Sequence, residues 1–109
     1  METEAEFLVR MRAKVESIRA DFLAEWPSIE KKIDSIPQDI RDRCSLAGPI
    51  AKLQSSKAEW LQVMGSASSA ATSRELKGLL PRTNELITSM GQLFDLIVET
   101  SAAAIYLNR

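Results

Sequence analysis

The sequence predicts an all-α fold: an elongated antiparallel bundle of three main helices plus a short connecting helix. Three observations lead there. Apolar residues recur at spacings of three and four over most of the chain, the period of one helical face. The β-branched residues follow that same period rather than strict alternation, so no strand is expected. Proline- and glycine-containing stretches interrupt the pattern at a few points only, which leaves long periodic segments.

The first helix carries Leu8, Met11, Val15, Ile18 and Phe22, then Trp26, Ile29, Ile33, Ile36 and Ile40. A four-residue step from Phe22 to Trp26, where three was due, shifts the stripe around the helix. Pro27 follows at once. It removes a backbone donor and crowds the preceding turn, so a kink is expected near Glu25–Pro27. The stripe continues beyond it, which favours a kink over a break. Ile36 precedes Pro37 and is steered away from the α region, so the helix should end there. Pro37 suits the first turn of a short helix reaching Ala47, with Asp39 near its positive end.

"AGP" at 47–49 reads as the next boundary. After it Ile50, Leu53, Lys57, Trp60, Leu61 and Met64 mark another amphipathic helix, the lysine laying its methylenes on the apolar face. "GSASSAATS", residues 65–73, has nothing large to bury and reads as a loop. Thr72 and Glu75 have capping-box spacing, with Leu76 next. The last helix follows, with Leu76, Leu79, Leu80, Thr83, Leu86, Ile87, Met90, Leu93, Phe94, Ile97, Ser101, Ala104 and Ile105. Gly78 and Pro81 should bend it one turn in, or split off a starting turn. No long helix can bury its stripe alone, and short connections make neighbours antiparallel. A 30-residue helix is about 45 Å long, hence the elongated shape.

Length fits one domain, residues 1–109. Hydrophobic residues at 45% and charged residues at 27% argue against disorder. A net charge of −1 gives no field toward nucleic acid, so no nucleic-acid partner is expected. Histidine is absent, which removes the commonest general base and metal ligand. Cys44 is the single cysteine, in "DRCSL", with no base to activate it, and reads as a small half-buried residue. The pairs Asp21/Glu25 and Asp95/Glu99 read as parts of solvated faces. Four scattered glycines make no phosphate loop. No enzyme activity, metal or cofactor is expected. The acidic N-terminus lacks an apolar export segment, and no disulfide can form within the chain, so a cytoplasmic location is expected, with export by a route without a cleaved signal as the alternative.

Leu86–Leu107 holds only Asp95 and Glu99 as charges. It has membrane-spanning length, but a central carboxylate costs about 3 kcal/mol on insertion scales, which disfavours a span. Two compatible readings remain: the centre of its own bundle, or contact with a partner. Ser101–Ala104 are small on every face. Ile105, Tyr106 and Leu107 then follow in a row that one stripe cannot hide. The expected partner-binding residues are Leu93, Phe94, Ile97, Ala104, Ile105 and Tyr106. Trp26 and Trp60 are expected as core anchors that meet near mid-bundle.

The expected function is a non-enzymatic helical protein-interaction module: a small complex subunit, adaptor or chaperone. Its partner is a protein, met as a homo-oligomer or in a hetero-complex. A secretion-type chaperone or a filament-like helical subunit is one form, by analogy of shape. The competing class is a peripheral membrane binder using Arg10, Arg12, Lys14 and Arg19 beside Phe7, Leu8, Met11 and Phe22. Interleaved Glu6, Glu16 and Asp21 argue instead for a salt-bridged, solvated face.

Overall fold

The computed structural model describes residues 1–107, which contain four helices and no strand: α1 (Glu4–Asp34), α2 (Gln38–Arg43), α3 (Ala47–Ser68) and α4 (Ser73–Leu107). They form a rod of 62 × 20 × 19 Å. Arg12 of α1 reaches Ala70 just past the end of α3, and Lys57 of α3 reaches Glu30 near the end of α1, so the two helices run antiparallel. Arg82 of α4 pairs with Glu59 of α3. Thus α3 is antiparallel to both neighbours, and α1 and α4 run parallel.

α1 starts where expected of an acidic first turn, with Thr3 Oγ1 accepting from the Glu6 N–H at 3.2 Å. It continues unbroken through Pro27 and ends at Asp34, capped by Ser35. Arg41 donates to the Ile33 carbonyl at 2.7 Å and the Ile36 carbonyl at 3.1 Å. A cation is thus held at the negative end of α1, where the Ile33 carbonyl also accepts the Ile36 N–H at 3.1 Å.

The connecting helix is shorter than the sequence suggests, six residues rather than the stretch to Ala47. Its end is set by Ser45, which adopts φ 53°. The Leu46 N–H then bonds back to the Arg41 carbonyl at 2.9 Å, and Ser45 N–H to Asp42 at 3.3 Å. This is a Schellman closure with serine at the left-handed position usually given to glycine. Buried Leu46 and Ile40 supply its apolar contact. "AGP" is not a boundary but the first turn of α3, where Pro49 lacks only an N–H that has no intrahelical partner.

Residues 65–68, expected as loop, extend α3 by a turn, and only 69–72 connect to α4. Ala67 and Ala70 are buried at the end of this helix, and Ser68 Oγ donates to the Gly65 carbonyl at 3.1 Å. The Thr72–Glu75 box forms at 3.1 Å, its return bond landing on the Ala71 N–H at 3.0 Å. Glu4 adds a second cap from α1, accepting from the Ser73 N–H at 3.0 Å. α4 runs on through Pro81 without splitting.

The core threads the rod: Leu8, Val15, Trp26 and Ile33 from α1, Leu53, Trp60 and Met64 from α3, Leu76, Leu86, Met90 and Ile97 from α4. Each aliphatic side chain so covered contributes roughly 1.5–3 kcal/mol. The tryptophans meet through Phe22, whose ring lies 4.3 Å from Trp60 and 5.5 Å from Trp26. Lys57 stands 4.6 Å over Trp26.

Candidate interaction groove

Three helices have three seams, and they are not equally closed. α3 packs most extensively on α4, and the α1–α4 seam is the loosest of the three long pairs. The first helix explains why. Its heptad stripe splits lengthwise: Leu8, Val15, Trp26 and Ile33 point into the core, while Met11, Phe22 and Ile29 are only half-covered and Ile18 is 47% exposed. Ile18, Phe22 and Ile29 of that outer line border clefts shared with α4.

Three apolar clefts follow one another along it. The first, about 110 Å³, lies between Val15 and Ile18 of α1 and Leu80, Asn84 and Ile87 of α4, floored by Trp60 and Met64. The second, about 170 Å³, lies between Phe22, Glu25 and Ile29 and Ile87, Gly91 and Phe94, floored by Leu53 and Met90. Ile87 is shared by both. The third, about 220 Å³, runs from Lys32 and Ile36 to Val98, Ala102 and Ile105. Ile87 and Ile105 remain 40% and 41% exposed. A Cβ added at Gly91 meets nothing within 4 Å, so the middle of the groove is open. An apolar trough with a polar rim along two parallel helices has the form that receives an amphipathic helix.

The expected partner-binding residues divide on this surface. Phe94 and Ile105 line the groove. Leu93 and Ala104 are half-covered against the core. Tyr106 is exposed at the tip of α4, beyond the end of α1, with Leu107 beside it. Ile97 is a correction: it is fully covered within the chain, because it continues the core line Leu86–Met90–Leu93. Ile18, Leu80, Ile87, Gly91 and Val98 also line the groove and are not among the expected contact residues. Their signal was present as a second line on α4, Leu80–Asn84–Ile87–Gly91–Phe94–Val98–Ile105, running beside the core line at the same alternating spacing. A helix with two such lines faces two seams.

The remaining candidates are placed without convergence. Cys44 is half-buried at the end of α2. Arg41 is engaged by the α1 carbonyls and Arg43 by Asp39 at 3.3 Å. Asp21, Glu25, Asp95 and Glu99 are all exposed. Among the described residues no cluster of three or more metal-ligating side chains occurs, and no helix is long and apolar enough to cross a membrane. The basic residues of α1 are largely occupied within the chain: Arg10 holds Glu2 at 2.8 Å, Arg19 lies 3.9 Å from Glu16, and Arg12 donates to the Ala70 carbonyl. The Arg10 guanidinium holds the Glu2 carboxyl below the ordinary carboxylate range. Comparison of the chain with protein-family models, curated proteins and solved structures finds no match.

Proposed function

We propose that this chain is a non-enzymatic helical interaction module, a small complex subunit, adaptor or chaperone, that receives a helical protein surface in the α1–α4 groove. One observation carries the reading: three consecutive apolar clefts leave Ile18, Ile87 and Ile105 partly exposed along a seam already floored by the core. Covering an additional 300 Å² or so of apolar surface there supplies about 7 kcal/mol before association costs. The exposed Tyr106 and Leu107 extend the same apolar strip past the end of α1. The single unpaired Cys44 suits a reducing, cytoplasmic setting.

Site-specific photo-crosslinking in cells tests the reading. A photoreactive residue at Ile87 is compared with one at Gln92, exposed on another face of α4. The expected result is a discrete protein adduct from position 87 and none from 92. No adduct from 87, or equal labelling from both, refutes the groove as a binding surface.

A further inference from the structure

We infer that the occupant of the groove is a second copy of this chain, packed antiparallel across a two-fold axis. This rests on the groove being a binding surface and specifies what fills it. The inference stands on the arrangement of charge along the rim. Lys14 stands one turn before Ile18, and Glu25 lines the second cleft. On the other rim Lys77 comes just before Leu80, and Asp95 one turn after Gly91. All four side chains are exposed.

The two pairs are centred at one level of the rod. The midpoint of Lys14 and Glu25 falls between Arg19 and Ala20, and that of Lys77 and Asp95 falls at Leu86. The clefts fix which levels of the two helices are neighbours: Val15 and Ile18 lie beside Leu80–Ile87, and Phe22–Ile29 beside Ile87–Phe94. Arg19–Ala20 therefore sits level with Leu86. A two-fold axis at that height, perpendicular to the helices, sets Lys14 against Glu25 of the second copy and Lys77 against its Asp95. Each contact is made twice, as a two-fold interface requires. Leu80 comes down close to Gly91 of the second copy, where there is open space for it. An unrelated helix needs no such shared centre.

The area suffices. Ser73–Glu99, the part of α4 symmetric about Leu86, is about 40 Å long. Across a rod 20 Å wide this gives about 800 Å² per copy, the size of a standard stable interface.

Solution mass by light scattering tests the inference through complementary charge reversal. The wild type is expected at twice the 12.1 kDa chain mass. The double variant Lys14→Glu/Lys77→Glu turns four attractions into four repulsions and lowers association about a hundredfold. Glu25→Lys/Asp95→Lys does the same. Each is expected at single-chain mass, and their equimolar mixture at twice that mass. Circular dichroism checks that each variant keeps its helix content. Independently, Ile87→Cys on a Cys44→Ala chain is expected to form an intermolecular disulfide under mild oxidation. A wild type of single-chain mass at millimolar concentration overturns the inference, as does a mixture that stays monomeric. If the wild type is monomeric while position 87 crosslinks to a different protein, the second copy is wrong and the groove reading stands. If position 87 crosslinks to nothing, both fall.

Discussion

Ile97 and Ile105 are the same residue type on the same helix, two turns apart, in opposite surroundings. Ile97 is fully covered by the core; Ile105 is 41% exposed at the end of the groove. Ile97→Ala removes buried carbons and leaves a void, which costs about 3 kcal/mol within the 2–5 range for such truncations. Ile105→Ala loses contacts that are already partly wet and costs about 1 kcal/mol or less. With a urea slope of about 2 kcal/mol per molar, the unfolding midpoint falls by roughly 1.5 M for the first and 0.5 M or less for the second. Urea titration followed by circular dichroism at low micromolar chain reads both. A shift at Ile97 no larger than that at Ile105 refutes its place in the core and returns it to the contact surface.

Other perturbations separate the remaining parts of the structure. Ser45→Gly relieves the left-handed backbone at the end of α2 and should raise stability by about 0.5–1 kcal/mol, while Ser45→Val should lower it; thermal melts distinguish the two. Gly78→Ala in α4 adds a Cβ that meets nothing within 4 Å, so helix propensity alone should give about 1 kcal/mol, against no gain if the site is closed. The Glu4 carboxylate accepts from the Ser73 N–H and hydroxyl, which lowers its pKa below the ordinary 4.5. The folded-state value is the lower one, so the contribution is present above pH 4.5 and is lost as pH falls through the folded value. Carboxyl-carbon NMR titration should place the Glu4 midpoint below 4.5, and Ser73→Ala should move it back toward that value.

The helices were legible because apolar residues keep helical spacing from Leu8 to Ile33, from Ile50 to Met64 and from Leu76 to Ile97, and each stretch supplied core residues. Boundaries made by backbone geometry were less so. Nothing about serine announces a left-handed residue at 45, so α2 read too long. Ala67 and Ala70 are small enough to read as loop, yet both are buried. The groove was half-legible. Phe94 and Ile105 stood out as surplus apolar residues, but which of the two lines on α4 would be covered depends on where α1 lies, and no local pattern records that. Ile97 and Ile87 look alike in sequence; only the neighbour each faces separates them.

The shortest of the three long helices has a further consequence. α3 has the most extensive packing of the three, against Phe22 and Trp26 of α1 on one side and along α4 on the other. The α3–α4 pair is the most extensively packed, and α1 is held less extensively against both. Amide protons of α3 around Trp60 should therefore be the last to exchange with deuterium, and those of α1 should exchange sooner through partial opening. The rod is built as an α3–α4 hairpin with α1 laid along it, and the order of amide exchange should follow that packing.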